Sequence, residues 1–584
     1  MRAVGADAFH AAGFGGKGVV VALADYGFDL LHPSFRTDDG KTRFTSLWNQ
    51  CAAGEAVADV GSDGGISPAL LSGEVLPGEL RAADIDRLIY AAEAAGGRAP
   101  ADAIYDPHAG YYGRHGVGPE GAHGTLMASL AAGSAVGGHT GLAPEATLLA
   151  VQLALPDAAW REEDASGRPS WLDVPETALA GWAGWKSYDA AAATVAAIRY
   201  LHARALELNP AGIVLNVSLG TWAGAHDGGS PVERELARIA ALGEAGAGPP
   251  CIVVIGAGNA GNEQGHFAGR VTPAQPVSFD WTMHAADPTQ NKLEIWSRST
   301  EPSAMTLSLG DMLQFDLAPG PTRAVVAGGQ RIGLVEHVSD VSPGLSRVRV
   351  ILHPPCFADA AAVRAVMGSD PTLSWRIEVS SGGGSGGDLH AWLERDDGTL
   401  ERSTLAPFTT ASTLSCLAGA AGAIVVGGFE LDVATDGTVG GARRFPWASH
   451  GPLPWGGDSS AACVPHLAAP AHGVVGAKSK STGFAYTSGT SAAAAFVSGA
   501  AALLIEQAVR AGRRPRRADL LAALLGDSGE GADSRSAAAW DPQIGFGPLA
   551  LIAPVAAHQP AAGHHHVTLS ASSRFENAGT HPRA

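Results

Sequence analysis

Four residues spaced widely along the chain carry the groups that acyl transfer needs. Ser491, in TSGTSAAAAFVSGAAALL, places a hydroxyl where a tight turn enters an alanine-rich helix. Gly489 permits that turn and Thr490 closes it, and the free N–H groups of a helix start favour developing negative charge. A serine hydroxyl is a weak nucleophile at neutral pH. It needs an imidazole to take its proton and a carboxylate to orient that imidazole. His123, ahead of Gly124 and Thr125, opens another helix, and Asp25 closes the apolar run GVVVALAD, where an unpaired carboxylate would be costly. Asn259, in VVIGAGNAGN, follows a strand and a glycine-rich turn, and its side-chain amide could donate to an oxyanion.

Each residue also has an ordinary explanation. On its own fragment Ser491 reads first as an N-cap, Asp25 as a cap or turn residue, and Asn259 as a turn support. His-Gly-Thr alone is a weak motif. The weight lies in the order Asp, His, Asn, Ser, each at a strand end or a helix start. Apolar runs at 18–25, 146–153, 212–220 and 251–258 read as strands, and helical patterns start at 124, 187 and 230. Such alternation predicts a parallel sheet flanked by helices, with reactive groups gathered at the carboxyl ends of its strands. Asp25, the Ser-Leu-Gly of 218–220 and Asn259 all fall at such ends.

The pattern changes at about residue 275. To about 412 it shows short alternating runs (KLEIWSRS, AMTLSLG, SRVRVILHP, SWRIEVSS, DLHAWLERDD) with many turn signals, which predicts an inserted β-sandwich-like domain. SGGGSGGD (381–388) lies between two of these runs with no following Lys-Ser or Lys-Thr, so it reads as a hairpin connection rather than a phosphate loop. The expected division is therefore 1–274 and 413–555 as two parts of one α/β domain, 275–412 as the insertion, and 556–584 as a disordered tail. The tail's His564, His565 and His566 read as solvated. A helix is expected over 79–96, a surface loop over 106–113, and the most strongly marked helix over 489–512.

The 584 residues are 46% hydrophobic and 16% charged, with a net charge of −18. That composition supplies a buried core, and the acidic surface makes nucleic acid and anionic lipid poor partners. Five cysteines (Cys51, Cys251, Cys356, Cys416, Cys463) lie far apart without a CxxC pair, which fits reduced thiols better than a disulfide framework or a zinc site. No metal ligand cluster stands out. No stretch reads as apolar for long enough to span a bilayer. The N-terminus lacks a secretion-signal pattern, so a cytoplasmic location is expected if Met1 is the natural start, and a secreted one if a leader has been removed.

Taken together, these segments resemble the subtilase family. VVVALADYGFDLLHPSF is similar to the family's aspartate segment, AHGTLMASLAAG to its histidine segment, and TSGTSAAAAFVSGAAALL to its serine segment. IVLNVSLG resembles the strand that lines the peptide cleft, and VVIGAGN the segment with the oxyanion asparagine. Asp–His–Ser is also the order found in subtilisin. The resemblance implies a serine endopeptidase acting on polypeptides. In it Asp25 holds the imidazole, His123 acts as base and then acid, and Ser491 attacks the carbonyl. Asn259 and the Ser491 N–H would form the oxyanion hole. Ser218, Leu219 and Gly220 would pair with the substrate backbone, and Ala257 and Gly258 would line the pocket for the residue before the scissile bond. No cofactor is implied, although calcium often accompanies the family.

TRFTSLWNQ, GAHDGGSPVE, GNAGNEQGH and the β-rich insertion resemble a bacterial subgroup that includes the clostridial germination proteases, which carry a jelly-roll-like insert. Three departures stand out. Tyr26 occupies the usual Ser or Thr position after the aspartate, Ala495 a common proline position, and Phe496 a frequent histidine position. No propeptide pattern is read ahead of the first segment in this sequence, so another means of folding or restraint is expected unless a leading segment has been trimmed. The alternatives are a catalytically quiet binding or regulatory protein on the same fold, and a tripeptide-releasing or ligating peptidase using the same residues.

Overall fold

The run VVVALAD forms β1 (Val19–Asp25), and all seven of its residues are buried. A strand covered on both faces belongs in the middle of a sheet with helices on each side. The computed structural model, which describes residues 4–51, 73–98, 103–105, 122–153, 179–246, 248–284, 291–298, 304–309, 313–317, 320–327, 330–342, 344–352, 372–381, 386–394, 403–433, 439–455, 462–527 and 539–554, places it there. The other strands of the first half are β2 (Phe44–Asn49), β3 (Glu79–Arg81), β4 (Thr147–Gln152), β5 (Gly212–Val217) and β6 (Cys251–Gly256). Across the sheet they run β3-β2-β4-β1-β5-β6, all parallel except β3. Ala24 pairs with Val217 and Val217 with Ile255. The carboxyl ends of β1, β5 and β6 therefore finish level, with Asp25 beside Ser218.

Seven helices are described: α1 (Ala6–Ala11), α2 (Ala82–Ala94), α3 (His123–Ala132), α4 (Leu179–Glu207), α5 (Pro231–Glu244), α6 (Thr490–Arg510) and α7 (Arg517–Leu524). Period-two alternation in β1 divides them into layers. Val19, Val21 and Leu23 join a core with Met127 and Leu130 of α3 and Val497 and Ala501 of α6. Val20, Ala22 and Ala24 join a second core with Ile198 and Leu201 of α4 and Leu236 and Ile239 of α5. Small residues let α6 reach the sheet centre. A Cβ on Gly499 would lie 2.4 Å from the Ala131 carbonyl oxygen of α3, so only glycine fits that crossing. The buried Glu506 carboxylate of α6 accepts the Gly15 and Gly16 N–H groups at 2.9 and 2.7 Å, fastening the segment that leads into β1. Contrary to the sequence expectation, α6 is long and apolar enough to cross a bilayer, but it is mostly buried inside the protein.

Several boundaries differ from the sequence reading. Helix α4 begins at Leu179 rather than 187. The region expected to be helical from 79 starts with β3, because Glu79 is buried where the Arg204 and Arg81 guanidinium groups meet it at 2.9 and 2.6 Å. The 106–113 loop and the 556–584 tail lie outside the described residues.

From His266 onward the chain builds antiparallel strands: β7 (His266–Val271), β8 (Val277–His284), β9 (Asn291–Arg298), β10 (Ala304–Leu309), β11 (Leu313–Leu317), β12 (Gly320–Ala327), β13 (Gln330–Ser342), β14 (Leu345–Leu352), β15 (Thr372–Ser380), β16 (Gly387–Leu393) and β17 (Thr404–Ala406). They form two sheets, β11-β10-β15-β8-β17 and β12-β13-β14-β9-β16-β7. Phe279, Trp281, Trp375 and Ile377 of one share a core with Leu293, Ile295, Val350 and Leu389 of the other. Strand β18 (Ile424–Val433) then returns to the main sheet beside β6, with β19 (Val439–Arg444) and β20 (Leu467–Pro470) paired to it. A hairpin of β21 (Val474–Ala477) and β22 (Phe484–Thr487) leads into α6.

A stack of rings fills the junction between the antiparallel sheets and the main sheet. His226 lies 4.1 Å from Trp392, Trp392 4.8 Å from His266, and His266 5.2 Å from His390. A carbonyl only accepts, so His266 donates from Nδ1 to Ala411 O at 2.6 Å and its Nε2 is free to accept from His390 Nδ1 at 3.0 Å. Burial lowers His226 and His390 each to about 4 and holds His266 well below its ordinary value of 6.5. The folded state thus binds fewer protons here than the unfolded chain between pH 6.5 and about 4. The stability these rings contribute is complete above that window and lost as pH falls through it. The expected outcome is a melting temperature that drops from pH 6.5 towards 4, with a shallower drop in His226→Gln. An equal slope in thermal unfolding of the two proteins would contradict it.

Candidate active site

The turn after β1 clasps the first turn of α3. Gly124 N donates to Tyr26 O at 2.6 Å and Thr125 N to Gly27 O at 2.8 Å. The buried Thr125 hydroxyl donates to Gly27 O and accepts the Asp29 N–H, both at 2.7 Å. Gly124 leaves room for Phe28, whose ring would lie 2.8 Å from a Cβ there. This clasp explains His-Gly-Thr locally: glycine admits the phenyl ring, threonine ties the two segments, and the histidine before them is aimed at the strand end. His123 Nδ1 meets Asp25 Oδ1 at 2.7 Å, with Asp25 fully buried and the imidazole 22% exposed. An ionised carboxylate only accepts, so Nδ1 carries the proton and Nε2 is left as the basic atom.

Tyr26 stands close to this pair. Its N–H donates to Asp25 Oδ1 at 2.7 Å, and its ring lies 5.2 Å from the imidazole at a 33° tilt. Asp25 Oδ2 is buried and has no hydrogen-bond partner among the described residues.

Ser491 is the second residue of α6, where the helix leaves its first N–H groups unpaired. Its hydroxyl donates to Ser218 O at 3.3 Å, and no hydrogen bond joins it to His123. Ser218 follows Val217, the partner of Ala24 in the β1–β5 pair, so the serine hydroxyl and the histidine ring, each from a helix start, meet the ends of two neighbouring strands. Asn259 Oδ1 accepts the Thr490 N–H at 2.8 Å and the Thr490 hydroxyl at 3.2 Å. Of the two amide atoms of asparagine only Oδ1 can accept, so this contact fixes the amide orientation and frees Nδ2. Gly489, at φ 145°, brings its backbone so near that a Cβ would sit 3.1 Å from Nδ2.

The remaining predicted residues divide. Ser218 is buried, its hydroxyl donating to Asn216 Oδ1 at 2.8 Å, while Leu219 is partly exposed and Gly220 exposed. Neither Leu219 nor Gly220 makes a backbone–backbone hydrogen bond among the described residues. Gly258 donates to Thr490 Oγ1 at 3.0 Å. Ala257, expected to line the pocket, is fully buried against Leu414, Ala418, Val425 and Val464. Thr490, Thr125 and Ser415, which donates its N–H to Ala257 O at 2.7 Å, organise the site and were not singled out for roles. Only Thr490 and Thr125 carried a local signal, as neighbours in the SGTS and HGT segments. Among the described residues no group of three or more His, Cys, Asp or Glu could hold a metal ion.

The sequence pattern of the Subtilase family matches residues 16–307 and 369–547. Among solved structures the chain is similar to the CspB protease of Clostridium perfringens, with 18% identity and a TM-score of 0.59 over 92% of each chain. It is also similar to the S41 psychrophilic protease, with 14% identity, a TM-score of 0.37, and 92% of this chain and 93% of that one covered. A further similarity is to MycP1, a serine protease of the type VII (ESX-1) secretion system. There the identity is 13% and the TM-score 0.35, with 94% of this chain and 85% of that one covered. No curated protein matches the sequence.

Thr125→Val keeps the shape of the clasp and removes its hydroxyl, orphaning the Asp29 N–H and depriving the Gly27 carbonyl of one donor. A loss of about 1–3 kcal/mol per buried group left unsatisfied is expected, read as a lower urea midpoint. A variant as stable as wild type would contradict the clasp.

Proposed function

The chain belongs to the subtilase family, and from that membership we propose that it is a serine endopeptidase that cleaves polypeptides through Asp25, His123 and Ser491. The observation that carries this reading is the 2.7 Å contact between His123 Nδ1 and Asp25 Oδ1, which leaves Nε2 basic on the side open to solvent. For the reaction the Ser491 hydroxyl turns from Ser218 O to His123 Nε2. Catalytic hydrogen bonds often form only once substrate is bound. His123 takes the proton as Oγ attacks the scissile carbonyl. The oxyanion is met by the Ser491 N–H and Asn259 Nδ2. The imidazolium then gives its proton to the leaving amine, and water repeats the sequence to release the acid and restore the serine.

The substrate lies extended along Ser218–Gly220 as an added strand. The pocket for the residue before the scissile bond is bounded by that segment and by Gly258, with Ala257 behind the wall. Residues 1–274 and 413–555 form the catalytic unit in this reading, and the β-rich strands between them form an insertion. One observation favours a second reading, a catalytically quiet protein on the same fold: the Ser491 hydroxyl rests on Ser218 O rather than on His123.

A fluorophosphonate probe separates the two. Labelling of wild type and none of Ser491→Ala is expected; no labelling of either would overturn the peptidase reading. On a long peptide, internal cuts without successive tripeptides are expected, and tripeptides alone would contradict endo action. Asn259→Ala is expected to lower kcat about a hundred- to a thousandfold, the scale that loss of the oxyanion asparagine has in subtilisin. An unchanged kcat would remove Asn259 from the mechanism.

A further inference from the structure

The two walls of the proposed pocket continue into irregular loops. Ser218–Gly220 runs on into Thr221, Trp222 and Ala223, and Gly258–Asn259 runs on to Gly265. Loop N–H groups at the rim of a cleft have no ladder to join and must find acceptors elsewhere. Here both loops are held by two consecutive residues of the β-rich insertion. The Glu394 carboxylate accepts from Thr221 Oγ1 at 3.0 Å, Trp222 N at 3.0 Å and Ala223 N at 3.3 Å. The preceding Leu393 N–H donates to Gly265 O at 2.9 Å. Glu394 is fixed in turn, its N–H donating to Lys292 O at 2.9 Å and its carboxylate lying 3.8 Å from Lys292 Nζ. Hydrogen bonds to an ionised acceptor are shorter and about twice as strong as neutral ones, so three donors on one carboxylate make a stiff joint.

From this convergence we infer that Glu394 is a positioning residue of the cleft. It lies at the end of β16, outside the catalytic sheet, and sets the spacing of the pocket walls by gripping the loop that continues the substrate-binding edge. The inference rests on the peptidase reading above, because a wall position has kinetic meaning only if the cleft binds a peptide. It makes the insertion part of the binding apparatus. Glu394 acts through Thr221–Ala223 and touches no reacting atom, so its loss weakens ground state and transition state alike. That is the signature of uniform binding: KM rises and kcat holds.

The test uses the full chain, a chromogenic peptide substrate and amide hydrogen exchange. Glu394→Ala is expected to raise KM about tenfold while kcat changes by less than about threefold, and to speed exchange at Trp222 and Ala223 about tenfold or more. Glu394→Gln keeps one acceptor oxygen but turns an NH2 towards the donors, so an intermediate KM is expected. It also stands in if the alanine variant fails to fold. Asp388→Ala, on the exposed pair with Arg270 in the same strand, leaves both readouts unchanged. An unchanged KM, or a fall in kcat at constant KM, overturns the inference, as does unaltered exchange at 222–223. A wild-type chain that cleaves no peptide would sink the peptidase reading, and the exchange data would then decide the grip itself.

Discussion

A carboxylate at the buried end of a central strand constrains everything around it. Asp25 is fully enclosed, and burying an ionised group is costly unless donors meet it. The donors are the His123 ring and the Tyr26 N–H. Keeping the ring in place requires the clasp between the turn after β1 and the first turn of α3. That clasp depends on α3 packing against α6, where Gly499 allows the two helices to touch. The same α6 carries Ser491 in its first turn, so one packing contact sets both the imidazole and the hydroxyl. Asp25 Oδ2, unpartnered among the described residues, is a local cost, and such costs collect where a protein holds groups for chemistry rather than for stability.

The antiparallel sheets meet the cleft through polar contacts placed behind its walls. Trp222 shows how closely the two parts are fitted: its indole N–H donates to Thr413 O at 3.1 Å while its backbone N–H goes to Glu394. The neighbouring His226 donates from Nε2 to Trp222 O at 2.9 Å and stacks on Trp392. Buried histidines kept neutral make this junction firm at neutral pH and weaker in acid. The fold shared with the CspB protease over 92% of each chain spans both parts, so the arrangement belongs to the whole fold rather than to an appended module.

What the sequence revealed was local. GVVVALAD is apolar along its length and became β1, and the alternating SWRIEVSS became β15 with alternating burial. Helix starts at His123 and Thr490 were legible because glycine and threonine mark them. The first two turns of α4 were hidden, since Gly181 and Gly184 lower the helix propensity of that stretch. The antiparallel strands start at His266 because β7 pairs with β16 across more than a hundred residues, which no local pattern reports. Glu394 gave no sign of its role, because its partners lie far away in sequence and its own neighbours are charged. Short-range periodicity carries the elements, and long-range polar contacts carry the site.

The most direct test is a crystal structure of the protein bearing a peptidyl phosphonate. The account predicts a covalent bond to Ser491 Oγ, with the phosphoryl oxygen about 3 Å from Asn259 Nδ2 and from the Ser491 N–H. It also predicts His123 Nε2 turned to the modified serine and the peptide extended along Ser218–Gly220. Attachment at another residue, or an adduct whose oxygen faces away from Asn259 while His123 stays apart from Ser491, would contradict it.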